Sequence, residues 1–252
     1  MLRRTVLTSL WILVLGVAIA VSADEPYEEI VDQTFAVSAT ARVSLDNVNG
    51  DVSIEAWNRD EVQVQAVKRA SSPELLAELQ VEIDATGNQV DIDTHYPSGM
   101  RSGQGASVEY TLTVPRTARL DSIDLVNGDL RVTGVEGGVA TSCVNGTIRA
   151  EGVAGDVELA TVNGAIELDA SSLGGGNELA LESVNGSIEV ILPASADASL
   201  DAETVNGSIR NDLGLEVRNG RYVGSSMHGT LGSGAGRLSI ETVNGPISVH
   251  GR

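Results

Sequence analysis

At 252 residues, with a net charge of −19 and Lys68 as its only lysine, the chain suits one large or two small domains. It is too acidic to be drawn to nucleic acid or anionic lipid at long range. Cys143 is the only cysteine, which excludes an intramolecular disulfide. Aromatic residues make up 3% of the chain, so a thin core of Val, Ile, Leu and Ala is expected.

The chain opens with "MLRRTVLTSLWILVLGVAIAVSADEP". Arg3 and Arg4 precede an apolar run from Val6 to Ala20, and Val21-Ser22-Ala23 offers the small residues of a cleavage site. The run is shorter than the roughly 20 residues of a spanning helix. Residues 1–23 are therefore expected to be a signal peptide that is removed. The protein is then exported to the periplasm or the cell surface. With no cysteine near the cut, it is not lipid-anchored. No later stretch is long and apolar enough to span a membrane. Loss of two arginines takes the 16 basic residues to 14 against 35 acidic ones, a net charge of −21.

Residues 24–106 form a section of their own. "ARVSLDNVNGDVSIEAWNRDEVQVQAVK" predicts three strands, with turns at Asn49-Gly50 and Asn58-Arg59-Asp60. "SSPELLAELQ", Ser71 to Gln80, predicts the one helix: Ser71 or Ser72 caps it, Pro73 suits its first turn, and Leu75, Leu76 and Leu79 give it an apolar face. Further strands are expected over Val81–Ala85, Gln89–His95 and Ser107–Val114, with a loop at 97–106. This section is expected to cover the open N-terminal end of the rest of the chain, since exposed strand edges invite association.

Residues 107–252 are a repeat region. The kernel Val-Asn-Gly occurs seven times in the chain, at Val48, Val126, Val144, Val162, Val184, Val205 and Val243. Successive copies from Val126 lie 18, 18, 22, 21 and 38 residues apart, the last close to twice 19, as if one copy had lost its signature. An apolar residue stands four positions after each valine, from Val52 to Ile247, and usually another six after it. Such alternation marks half-buried strands.

The kernels predict structural turns at Asn49-Gly50, Asn127-Gly128, Asn145-Gly146, Asn163-Gly164, Asn185-Gly186, Asn206-Gly207 and Asn244-Gly245. Asn and Gly both tolerate positive φ, so Gly164→Val is expected to cost about 1–2 kcal/mol on that ground. Side-chain parity fits both a tight hairpin and the corner of a β-solenoid. The near-constant spacing favours an all-β solenoid of parallel β-helix type, in which asparagine stacks on asparagine at roughly 4.8 Å. Outward residues give a check. Stacking places Arg131 beside Arg149, Arg149 beside Glu167, and Glu189 beside Arg210. "LGGGNE", "LGSGAGR" and the glycine-rich stretch 211–236 read as wide or irregular turns.

Together, "VSLDNVNGDVSIEAW", "VEYTLTVP", the serial Val-Asn-Gly strands, "SIEVILP" and "GAGRLSIETVNGPISV" resemble the bacterial putative-adhesin family of β-strand repeat proteins, whose function is unknown. The resemblance implies an exported, repeat-built β fold. It supplies no catalytic residues.

Chemistry is not legible. His95, His228 and His250 form no zinc-binding pair, and no nucleophile elbow or phosphate loop is present. No cofactor and no catalytic residue is assigned. Cys143, at the place of Thr161, Ser183, Thr204 and Thr242 in other copies, reads as a small buried residue, with a reactive thiol as the alternative. Glu182, Glu203 and Glu241 each stand two residues before a kernel valine. Stacking makes Glu182 and Glu203 neighbours, a column that could hold a cation. The expected role is an exported, non-enzymatic structural or binding module of the envelope, with envelope proteins, cell-wall polymers or surfaces as partners and no nucleic acid. A carbohydrate-active lyase or hydrolase on the same scaffold is one alternative. A periplasmic envelope-sensing or chaperone-like module is the other.

Overall fold

The fold, taken from a computed structural model, is described over residues 26–97, 105–220 and 223–252; the expected signal peptide lies outside them. Period-two alternation puts most of the chain into strands. The first section holds β1 (Tyr27–Ala36), β2 (Arg42–Asn49), β3 (Val52–Trp57), β4 (Glu61–Ala70), the helix α1 (Pro73–Glu78), β5 (Gln80–Thr86), β6 (Gln89–His95) and β7 (Ala106–Pro115). Strand pairs come next: β8 (Arg119–Asn127) with β9 (Leu130–Thr133), β10 (Val139–Asn145) with β11 (Ile148–Val153), and β12 (Val157–Asn163) with β13 (Ile166–Ala170). After these stand β14 (Glu178–Asn185) with β15 (Ile188–Leu192), and β16 (Ala198–Asn206) with β17 (Ile209–Asn211). The chain closes with β18 (Val217–Asn219), β19 (Ser225–Leu231) and a last pair, β20 (Gly236–Asn244) with β21 (Ile247–Gly251).

Every Asn-Gly of a Val-Asn-Gly kernel joins two sheets. The strand before it lies in an eleven-stranded sheet ordered β18-β19-β16-β20-β14-β12-β10-β8-β2-β6-β5, and the strand after it in a ten-stranded sheet ordered β1-β4-β7-β3-β9-β11-β13-β15-β21-β17. The kernel is thus a corner between sheets, and its two strands do not pair with each other. Successive coils stack in parallel and in register, Asn127 on Asn145, Asn145 on Asn163 and Asn163 on Asn185. Apolar side chains from both sheets fill the space between them as one buried cluster.

The coil made by β2 and β3 stacks directly on β8 and β9, so both sheets run on across residue 106. One expectation needs correction. The long gap before Val243 is not a lost copy. After β17 the chain runs back as the β18–β19 hairpin, with β19 antiparallel to β16. The last coil then enters between β14–β15 and β16–β17. Asn185 therefore meets Asn244, and Asn244 meets Asn206. Glu189 faces Ser248 in place of Arg210, while Arg131, Arg149 and Glu167 stack as expected.

The glycine requirement at the corners has a different cause from the one expected. Among the seven, only Gly50 (φ 122°) and Gly128 (φ 147°) have positive φ, and none of the described asparagines does. What the corners share is closeness. A Cβ on Gly164 would stand 1.9 Å from the carbonyl oxygen of Gly146, and the other six would stand 1.7–2.2 Å from a carbonyl oxygen of the adjoining coil. The backbone ladder turns the corner at the same point: the Gly164 N–H donates to the Asn185 carbonyl at 3.1 Å, and the Gly146 N–H to that of Asn163 at 3.1 Å.

Side chains reinforce this. Asparagine amides donate from one coil to the next: Asn127 to Asn49, Asn145 to Asn127, Asn163 to Asn145, Asn185 to Asn163, Asn244 to Asn185 and Asn206 to Asn244, at 2.8–3.0 Å. The residue before each valine points inward, and in four coils its hydroxyl donates to the adjoining coil's glycine carbonyl: Thr161 to Gly146 at 3.3 Å, Ser183 to Gly164 at 3.3 Å, Thr204 to Gly245 at 3.0 Å and Thr242 to Gly186 at 3.2 Å; Leu125 fills the place at the second kernel. At the first coil Asn47 takes that place and donates to the Val108 carbonyl at 2.9 Å. There Tyr96 closes the row: its hydroxyl lies 2.8 Å from the Asn49 carbonyl and accepts from the Asn49 N–H at 3.1 Å.

The ends are built from reversed strands. β4 and β1 add antiparallel to β7, β5 adds antiparallel to β6, and α1 packs against β4 and β1. The helix is shorter than expected, with Ser72 as its cap accepting from the Leu75 N–H at 3.3 Å, because Gln80 already pairs in β5. One of the buried polar side chains lacks a partner. Thr141 is buried between Ile123 and Leu159, and its hydroxyl has no hydrogen-bond partner.

This packing sets two stability measurements. In urea denaturation, Gly164→Ala should lose about 1–3 kcal/mol or more through the forced contact. Gly87→Ala, at φ 67° with nothing within 4 Å of its Cβ, should lose only about 1 kcal/mol. Equal losses would contradict the contact account. Thr141→Val should gain about 1 kcal/mol by removing a buried, unpaired hydroxyl. A loss would mean that the hydroxyl has a partner in solution.

Candidate functional site

The inward turn of the residue before each kernel valine sends the valine itself outward. Stacking then lines these valines up across the outer face of the eleven-stranded sheet. In spatial order Val144, Val162, Val184, Val243 and Val205 are 39, 41, 41, 42 and 50% exposed, far above the near-zero exposure of the core valines. The row ends beside the β18–β19 hairpin, where Val223 is 69% exposed. An open groove of ≈ 720 Å³ runs along this face, lined by the valines and by Arg218, Val223 and Ser226 of the hairpin. Exposed apolar surface that is continuous over several strands is a mark of contact surfaces.

A second row borders the valines, two residues earlier on each strand. It contains Ser142, Ala160, Glu182, Glu241 and Glu203, followed by Ser226 and Arg218 on the hairpin. The three glutamates expected to form a column are indeed on one face, but Glu241 stands between Glu182 and Glu203, because the last coil is inserted there. They form a line and do not converge. Among the described residues no group of three or more His, Cys, Asp or Glu is placed to hold a metal ion.

The remaining candidates are dispersed. The seven Asn-Gly pairs form the corner row beside this face. His95, His228 and His250 lie apart, each against one carboxylate: Glu82 at 3.1 Å, Asp201 at 2.7 Å and Asp212 at 3.1 Å. Cys143 belongs to the inward row of hydroxyls, with its sulfur 3.5 Å from the Gly128 carbonyl. Burial pushes its thiol up to about 11, so at neutral pH it stays protonated and a poor nucleophile. Trp57 is tied by its indole N–H to the Glu61 carbonyl at 2.8 Å, and Arg59 stacks on its ring. Among the described residues no helix is long and apolar enough to cross a membrane.

The acidic row continues toward the first coils as Asp124, Asp46, Asp93 and Glu82, each opposite the next. Burial, then the charges of Asp124 and Asp93, raise the Asp46 carboxyl above its ordinary value. A carboxyl whose pKa rises on folding opposes folding once ionised, so its cost is absent at low pH and appears as pH rises through the folded-state value. Asp46→Asn should therefore raise the thermal midpoint at pH 7, by an effect of under about 1 kcal/mol for so exposed a site. The gain should vanish below the carboxylate range. A gain that persists at low pH would place its origin elsewhere.

Comparison with known proteins agrees with this architecture. No curated protein matches the chain in sequence. Among solved structures, a "putative cell adhesion protein" from Clostridium sporogenes is 14% identical, with 90% of this chain and 100% of that one covered at a TM-score of 0.55. A "putative adhesin" from Bacteroides fragilis is 12% identical, with 88% and 97% covered at a TM-score of 0.41. The first likeness is one of fold. The model of the Toastrack DUF4097 family matches residues 122–250, the β8–β21 stack with its glycine corners and valine face, and the chain belongs to that family.

Proposed function

We propose that this protein is an exported, non-enzymatic binding module of the bacterial envelope, an adhesin-like β-solenoid built from Val-Asn-Gly coils. The reading rests on one observation. A two-sheet stack with a filled interior presents an ordered row of half-exposed valines on one outer face. A contact surface has a use for such a row, since many small apolar contacts add up across it. The adhesion name carried by one structure of similar fold, and the signal-like residues 1–23, support export to the periplasm or the cell surface.

The test is retention on envelope. The protein, expressed with its own N-terminus in a bacterial host, should be found outside the cytoplasm. After purification it should sediment with an envelope fraction. Val162→Glu with Val184→Glu, both on the outer face, should lower that retention several-fold at an unchanged melting temperature. Cytoplasmic accumulation of the wild type, or equal retention of the double variant, would refute the reading.

A further inference from the structure

The occupant of the valine groove is encoded in its spacing and charge. Five valines one strand apart span four steps of about 4.8 Å, or roughly 19 Å, perpendicular to the strands. An extended peptide laid along that line would repeat its side chains on one face about every 6.6–6.8 Å, out of step with the valines. An α-helix has a pitch of 5.4 Å and brings an apolar residue to one face at each turn. About 13 helical residues cover the row.

Charge fixes the flank. Glu182, Glu241 and Glu203 stand side by side along one border of the row, with no basic residue opposite any of them in the ladder. Like charges in direct cross-strand register are unfavourable, and a chain with a net charge of −19 offers few cations to relieve them. A ligand bearing cations along one flank would. Arg218 lies at the hairpin end of the groove. The opposite end runs toward Asp124 and Asp46 on the acidic row. A bound helix would therefore point its negative C-terminal end toward Arg218 and its positive N-terminal end toward the aspartates.

The geometry points to a docking site for a cationic amphipathic helix of another protein, seated along Val144, Val162, Val184, Val243 and Val205 with its lysine or arginine flank against Glu182, Glu241 and Glu203. This rests on the reading of the outer face as a contact surface, and names the partner class for it. The mode is helix-in-groove recognition, with apolar anchors one turn apart.

The probe is a synthetic helix of about 14 residues, with leucines at three- and four-residue spacing and lysines on both flanks. It is compared with the same peptide carrying glutamate for lysine and with a scrambled sequence of the same composition. Titrated into the full protein, the lysine helix should bind at least about ten-fold tighter than either control, and its affinity should fall with salt. Glu241→Gln should weaken binding several-fold and flatten the salt dependence. Val184→Asn should abolish binding without changing the melting temperature. Glu182→Lys, Glu241→Lys and Glu203→Lys together should reverse the preference, so that the glutamate helix binds.

Equal affinity for the scrambled peptide, indifference to these substitutions, or stronger binding to phosphatidylcholine vesicles than to the lysine helix would overturn the assignment. If the double valine variant loses envelope retention while the lysine helix fails to bind, the helix assignment falls and the contact-face reading stands. If the helix binds as described while envelope retention ignores the valines, the assignment stands and the broader reading falls.

Discussion

Seven glycines packed against the backbone of their neighbours hold this fold in register. At each corner the α-carbon lies so near a carbonyl of the adjoining coil that no side chain fits. In four coils the same carbonyl also receives a hydroxyl from the inward residue, and the asparagine beside the glycine joins a ladder of amides. Three interactions meet at one point, and each repeats at the strand spacing. A shift by one residue would put a side chain at every corner where only hydrogen fits.

That corner also dictates what the molecule shows to solvent. The residue before the valine faces inward, a small hydroxyl in four coils and Cys143, Asn47 or Leu125 in the others, so the next residue faces out. The kernel valine is thus exposed by the same constraint that aligns the coils, and stacking turns single exposed side chains into a continuous strip. The bordering carboxylates obey the same rule. Insertion of the last coil brings Glu241 between Glu182 and Glu203, concentrating negative charge where the apolar strip meets the hairpin. Scaffold and face are in this sense one device.

Much of the architecture is legible in the sequence, and the failures are instructive. The kernel, its spacing and the alternation around it place the corners, the strands beside them and the asparagine stack, because these depend on local pattern repeated. Sequence spacing cannot show that the coil at Val243 lies between those at Val184 and Val205, since equal-length coils stack equally well in either order. β1 escapes a reading by pattern because its inward residues, Glu29, Val31, Gln33 and Phe35, are mixed in polarity on an edge strand where burial is partial. The β18–β19 hairpin is hidden in a glycine-rich stretch. Sequence assigns the glycine effect to backbone dihedrals, because closeness to another coil has no local signature. The exposed face does have a signal: a polar residue buried beside a valine implies, at period two, that the valine is outside.

The most direct measurement of the corner stacking is the pattern of nuclear Overhauser effects among asparagine side-chain amides in solution. The stacked corners require contacts Asn163–Asn185, Asn185–Asn244 and Asn244–Asn206, with no direct contact between Asn185 and Asn206. A direct Asn185–Asn206 contact, or the absence of contacts between successive asparagines, would contradict the stacking on which the scaffold and its outer face both depend.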